Sequence, residues 1–296
     1  MGNLLYLLWL NLLSMKLDYS DSDASKKFEG DYKMLVLDLD DTLLRDDYSI
    51  SARNKDLLIQ AQELGIKVVL ASGRPTPAMV RYAEELNLSQ YDSYMISFNG
   101  AVLTSMRNYE VLFETSLTRD EIHSLYDFSV ENNVHIITYS DKGVVSETDS
   151  EYIDVELKLT GIPHHKVPSF KSEVTSSAVK CILLEHPDYL KEVEIKLKAE
   201  RKDLSVSRSK PFFLEVMPQG IDKAASIDLL ATKLGIKQSE VIAVGNAGND
   251  LTMVQYAGLG IWVDNVSDDL RNHADYIVAS NENDGVAEVI EKFILN

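Results

Sequence analysis

One cysteine in 296 residues, Cys181, excludes any disulfide within the chain. It lies in the apolar run Val179-Lys180-Cys181-Ile182-Leu183-Leu184, which predicts a small core residue rather than a reactive thiol. With nothing else pointing to an oxidising compartment, a cytoplasmic location is expected. Positive charge is also scarce. Against 47 Asp and Glu stand 29 Lys and Arg, a formal net charge of -18. That balance disfavours nucleic acid and anionic membranes, because every approach to phosphate starts against repulsion. It leaves room for a small anionic substrate, since a metal and a few cations can reverse a local field. Long apolar runs are missing too. The apolar segment Asn3–Leu13 is too short to span a bilayer as a helix, so no stable membrane insertion is expected. It has no cationic flank, and no small-x-small cleavage site follows closely. Asp18–Glu29 is polar, acidic and rich in Ser, and reads as a linker. Three readings of residues 1–32 stay open: an upstream extension or start-site artefact, a peripheral or partner-binding segment, and an export signal. Internal repeats and low-complexity tracts are absent.

What is present is an alternation of short apolar runs with helical patterns. Met34–Leu39, Ile66–Ala71 and Tyr94–Phe98 read as strands. Ser51–Leu64 and Pro77–Leu86 read as helices, the first capped by Ser51 and ended by Gly65. Asn99-Gly100 is a turn signal, with a strand returning at Ala101–Leu103. The same texture resumes late in the chain. Helices are predicted at Ala224–Leu234, Leu251–Ala257 and Val286–Leu295, and strands at Val241–Gly245, Leu259–Val263 and Tyr276–Val278. Strands alternating with helices imply a parallel sheet covered on both faces. Between them the pattern changes. A helix at Thr118–Asn132, a hairpin of Val134–Ser140 and Lys142–Ser146, a strand at Ala178–Glu185, a helix at Pro187–Glu200 and a strand at Leu204–Ser209 suggest an α+β unit. The expected organisation is therefore an α/β, Rossmann-like doubly wound core over 33–112 and 209–296. An α+β domain at 113–208 is inserted into it, and residues 1–32 form an extension.

The first strand ends in Asp38-Leu39-Asp40-Asp41-Thr42. If the chain stays extended, the carboxylates at i and i+2 point the same way. Two carboxylates converging at the end of a buried strand repel and lose hydration, so a cation, a shared proton or a reaction has to compensate. The plain reading is that they cap a turn. Three more polar segments stand where strands end or helices begin: Ala71-Ser72-Gly73-Arg74, Asp222-Lys223, and Gly245-Asn246-Ala247-Gly248-Asn249-Asp250. Ligands of open α/β sheets bind outside the carboxyl ends of the strands, so all four segments can face one crevice.

In order and spacing these segments resemble the four motifs of the haloacid dehalogenase (HAD) superfamily. They are most similar to its Cof-type (subfamily IIB) phosphatases, whose larger cap is inserted between the second and third motifs. Ser97-Phe98-Asn99-Gly100-Ala101, Phe213-Leu214-Glu215-Val216-Met217-Pro218 and Asn281-Glu282-Asn283-Asp284-Gly285 agree with that subfamily. The resemblance covers 33–296. It implies a metal-dependent phosphatase acting on a small phosphorylated metabolite, with sugar phosphates foremost and cofactor phosphates such as pyridoxal or flavin phosphates less common. Asp38 would attack phosphorus and form an aspartyl-phosphate. Asp40 would protonate the leaving oxygen, then activate water.

Thr42 would bond locally and fix the loop at the phosphate. Ser72, Gly73, Lys223 and Asn249 would hold the phosphoryl group, with a helix N-cap as the plain alternative for Ser72. Arg74 and Asn99 would contact substrate. The implied cofactor is Mg²⁺, on Asp38, the Asp40 carbonyl and the acidic position of the fourth motif. Here that position is Asn246, where the family usually has Asp. An amide oxygen can ligate a hard cation without bringing charge, so weaker metal binding is expected, with Asp250 compensating directly or through water. Two alternatives follow. One is a phosphotransferase or mutase on the same fold. The other is a non-catalytic phosphometabolite-binding protein, motivated by Asn246. The six histidines read as cap or surface residues, and Tyr139, Tyr152 and Phe170 as core, with a place for one or two of them in the lining of the substrate pocket left open.

Overall fold

The computed structural model describes residues 31–295. The apolar segment Asn3–Leu13 and the acidic stretch Asp18–Glu29 lie outside the described residues. The first half of the core comprises β1 (Met34–Leu37), α1 (Ala52–Glu63), β2 (Lys67–Ala71), α2 (Thr76–Glu85), β3 (Tyr94–Ser97), β4 (Val102–Ser105) and β5 (Glu110–Glu114). A second set follows: α3 (Arg119–Glu131), β6 (His135–Ser140), β7 (Gly143–Ser146), α4 (Glu151–Thr160), β8 (His164–Lys166), α5 (Phe170–Glu173), β9 (Cys181–Leu184), α6 (Pro187–Glu200), β10 (Leu204–Lys210) and β11 (Phe213–Pro218). The chain then completes the core with α7 (Lys223–Leu234), β12 (Val241–Gly245), α8 (Leu251–Tyr256), β13 (Leu259–Val263), β14 (Tyr276–Val278) and α9 (Gly285–Phe293).

The core sheet runs β14-β13-β12-β1-β2-β3-β4-β5. From β14 through β3 every pairing is parallel, and β4 and β5 add an antiparallel edge. β1 is buried along its whole length, as a central strand covered on both faces must be. Its side chains alternate between two cores. Leu35 and Leu37 pack with Leu58, Met79 and Ile290 from α1, α2 and α9. Met34 and Val36 pack with Ile227 and Leu230 from α7, and with Met253 from α8. Asp38 continues the parity of Met34 and Val36, which aims it at the side where α7 begins.

The inserted cap sheet runs β10-β11-β9-β6-β7-β8. α3 and α6 cover one face through Leu125, Phe128, Leu190 and Leu197. α4 lies against the other through Ile153. Thr118 caps α3 in a reciprocal box with Glu121, as its position predicts. One boundary differs from expectation. The sequence places 209 onward in the core, but Phe213–Pro218 pairs with both β9 and β10. Its apolar side chains Phe213, Leu214 and Val216 bury themselves in the cap sheet, so the chain stays in that sheet until Pro218. Gly100 marks where core and cap exit meet. Its φ is +111°, and a Cβ there would lie 2.5 Å from the Asp222 carbonyl oxygen.

Candidate active site

Asp38 follows β1, Ser72-Gly73-Arg74 follows β2, Asn99 follows β3, and Asn246–Asp250 follows β12. These four strands are neighbours in the sheet. Their carboxyl ends therefore bring the four segments together, with Lys223 arriving as the first residue of α7.

Lys223 is the hub. Its buried ammonium donates to Asp38 Oδ1 at 2.6 Å, to Asp250 Oδ1 at 2.6 Å and to the Ala71 carbonyl at 2.8 Å, which uses all three of its protons. Burial alone would pull the lysine pKa down, but Asp250 and Asp38 outweigh it and the net shift is upward. Asp38 is pushed up to about 7, first by burial and then by the charge of Asp250, with Lys223 opposing. One ammonium thus faces two buried carboxylates. The donor set is short of positive charge, which suits an added cation.

Asp250 is fully buried. While Oδ1 holds Lys223, Oδ2 accepts the backbone N–H groups of Asn246 and Ala247, each at 3.1 Å. Gly245 makes room for it, since a Cβ there would lie 2.5 Å from Asp250 Cβ. Both Asp250 oxygens are engaged inside the protein, by Lys223 and by the loop. Among the described residues, no three His, Cys, Asp or Glu side chains converge as a metal site. Beside that engagement, the oxygen donors expected at a cation are Asp38, the Asp40 carbonyl and the half-buried Asn246. That set is all oxygen with a single formal charge. It fits a hard divalent ion that keeps several waters, and it fits one weakly.

The first motif leaves the extended conformation within its own few residues. β1 ends at Leu37, and Leu39–Leu43 form a π-type turn closed by the Leu44 N–H on the Leu39 carbonyl at 2.9 Å. Asp41 takes φ +55° within it. The turn points Asp40 at a different partner. Arg74 Nε donates to Asp40 Oδ2 at 2.8 Å, and its terminal nitrogen to Oδ1 at 2.5 Å, a bidentate fork. The Arg74 guanidinium lies 5.4 Å from the Tyr48 ring centroid and 5.6 Å from that of Tyr82. Tyr48 adopts φ +63°, an outlier for a bulky residue. No sequence signal singles out either tyrosine.

Ser72 is buried, and its Oγ accepts the Arg74 N–H at 3.2 Å. It is not a helix cap, because α2 starts only at Thr76. Gly73 leaves space for Asn99, whose amide atoms would stand 3.1 Å from a Cβ there. The Asn99 N–H donates to the Ser72 carbonyl, and Asn249 Nδ2 reaches Asn99 Oδ1 at 3.4 Å. Thr42 departs from expectation. It is fully buried and its hydroxyl has no hydrogen-bond partner, so the local bond assigned to it is not made.

Phe98, at φ +51°, turns its ring to the cap. There it meets Tyr139 edge-on at 5.7 Å, and Lys180 Nζ lies 5.6 Å from both rings. Lys180 pairs with Glu215 at 3.0 Å, both buried. Elsewhere in the cap, His164 pairs with Ser146 and His165 with Glu173. Cys181 is a core residue whose thiol burial pushes up to about 12.

Residues 35–290 match the family of haloacid dehalogenase-like hydrolases. The Bacillus subtilis protein YxeH is 34% identical over 269 residues, 89% of this chain and 99% of its own. The 5-amino-6-(5-phospho-D-ribitylamino)uracil phosphatase YcsE of Bacillus subtilis is 30% identical over 265 residues, 90% of this chain and 97% of that one. A haloacid dehalogenase-like hydrolase from Bacteroides thetaiotaomicron superposes with TM-score 0.85 at 37% identity, covering 88% of this chain and 99% of that one. The HAD subclass IIB sugar phosphatase BT4131 shares the fold, with TM-score 0.74 at 23% identity over 88% of this chain and 98% of that one.

Proposed function

Since the chain belongs to the haloacid dehalogenase-like hydrolases and is a phosphatase with the subclass IIB fold, we propose that it hydrolyses a small phosphorylated metabolite, in the first place a sugar phosphate, through an aspartyl-phosphate on Asp38. The observation that carries this reading is the buried Asp38 carboxylate at the end of β1, held at Oδ1 by Lys223 while Asp250 holds the lysine from behind. A carboxylate fixed in this way attacks phosphorus without having to reorganise.

Lys223 offsets charge that builds on the phosphoryl oxygens. The Ser72 hydroxyl still has a proton to donate to one of them, with the Gly73 N–H and Asn249 beside it. Asp40 gives a proton to the leaving oxygen, and later takes one from the water that attacks the aspartyl-phosphate. Arg74 is its positioning residue. The fork fixes the Asp40 carboxylate, and Tyr48 and Tyr82 fix the fork. Asp38, the Asp40 carbonyl and Asn246 would hold the metal of this family, in this reading Mg²⁺, which adds positive charge beside the phosphoryl group when bound. The Asn99 side chain, beside Gly73, reaches the substrate.

The test is phosphate release across a Mg²⁺ titration from a panel of sugar phosphates plus 5-amino-6-(5-phospho-D-ribitylamino)uracil. The named activity of YcsE makes the last compound the second candidate. Release that saturates with Mg²⁺ and is fastest on a sugar phosphate is the expected result. Preference for the ribitylamino compound moves the substrate assignment, and no release from any monoester overturns the reading.

A further inference from the structure

Lys223 holds the site together from an exacting place in the chain. β11 leaves the cap sheet at Pro218, and α7 begins at Lys223 itself. The link between them is Gln219-Gly220-Ile221-Asp222, with Gly220 at φ +79°. The ammonium also stands at the end of a flexible four-carbon stem. Its three acceptors, Asp38, Asp250 and the Ala71 carbonyl, fix the nitrogen. They do not fix the start of the helix from which that stem rises.

Asp222 fixes that start. It caps α7, its Oδ1 accepting the Ala224 N–H at 2.6 Å. The same oxygen accepts a second bond, from the Thr252 hydroxyl on α8 at 2.7 Å. Capping alone needs no donor from another helix. Thr252 stands two residues after Asp250, whose Oδ1 accepts from Lys223 at 2.6 Å. Two hydrogen bonds therefore join the same two short segments, Lys223 to Asp250 and Thr252 to Asp222, and close a small ring. Within the first turn of α7, Ser226 Oγ donates to the Gly100 carbonyl at 2.6 Å, which fastens the helix to the turn that carries Asn99. α7 cannot slide or roll without breaking one of these bonds.

We propose that Thr252 and Asp222 are positioning residues for the phosphatase reaction. Their hydrogen bond ties α7 to α8 where the chain re-enters the core, and so keeps the Lys223 ammonium on Asp38. The inference rests on the phosphatase reading above and extends it to two residues with no proposed contact to substrate. A lysine displaced by a fraction of an ångström loses most where charge builds on the phosphoryl oxygens, in the transition state. Loss of the tie should then appear in kcat rather than in KM.

The experiment measures kcat and KM on the best ester of the panel, at saturating Mg²⁺. It uses the full chain, Thr252→Val, Thr252→Ser, Asp222→Ala and the Asp222→Ala/Thr252→Val double variant. Thr252→Val keeps the branched shape and removes only the donor. Its expected result is a loss of about tenfold in kcat, with KM within about twofold of the unaltered chain. Thr252→Ser, which keeps the hydroxyl, retains kcat. The double variant loses no more than Asp222→Ala alone, because the bond between them is already gone. An unchanged kcat in Thr252→Val, an equal loss in Thr252→Ser, a change confined to KM, or additive losses in the double variant overturns the inference while the phosphatase reading stands. A Thr252→Val protein that is unfolded at the assay temperature also overturns it, since the bond would then serve stability. Failure of the full chain to release phosphate from any monoester overturns both.

Discussion

At the residue scale, the chemistry of this molecule turns on which carboxylate meets which cation. Asp38 and Asp250 share Lys223, while Asp40 is held by Arg74. Asn246 then leaves the candidate metal set with one formal charge. Asn246→Asp should lower the Mg²⁺ dissociation constant by about tenfold, or ~1.4 kcal/mol, read by calorimetric titration. An unchanged titration would remove Asn246 from the ligand set. Thr42 supports a second expectation. Its buried hydroxyl has no partner, and an unmet polar group costs about 1–3 kcal/mol. Thr42→Val should therefore raise stability to denaturant by about 1 kcal/mol. A loss of stability would mean that the hydroxyl is used after all.

At the element scale, the C-terminal ends of four adjacent strands make the site, and this much was legible in the sequence. Apolar runs ending in Asp38, in Ser72-Gly73-Arg74 and in Gly245-Asn246 are local patterns, and Ser51, Thr118 and Gly235 mark helix ends by local chemistry. What the sequence hid depends on contacts between distant elements. The Arg74 fork on Asp40 joins the ends of two strands across a turn that begins after Asp38. α4 was invisible because Val155, Leu157 and Leu159 alternate with polar residues as in a strand. Ser150 capping and the left-handed Gly161 at its end settle it as a helix. The edge strand β5 is short and largely exposed, and it begins and ends with Glu110 and Glu114, so it carries little apolar signal.

The pairing of β9 with β11 brings together another pair that the sequence does not announce, Lys180 and Glu215. Lys180→Met should cost about 3–5 kcal/mol, because it strands a buried carboxylate. Lys180→Met with Glu215→Leu should recover most of that loss. Denaturation of the single and double variants checks this, and an additive loss in the double variant would contradict it.

At the scale of the whole molecule, one chain builds a parallel core, leaves it for a second sheet, and returns to deliver Lys223 to the carboxylate set up by its first strand. β1 is already buried on both faces by elements within 31–295. Removing residues 1–30 should therefore leave thermal unfolding and phosphate release unchanged, and a drop in either would mean that those residues support the core. The proposed chemistry depends on Asp38 as the nucleophile. Its most direct test is phosphate release by the full chain and by Asp38→Asn, across the same Mg²⁺ range and on the best ester of the panel. The expected result is a loss of about 10³-fold or more in kcat with the fold intact. An Asp38→Asn protein that releases phosphate at a rate near that of the unaltered chain would contradict the account.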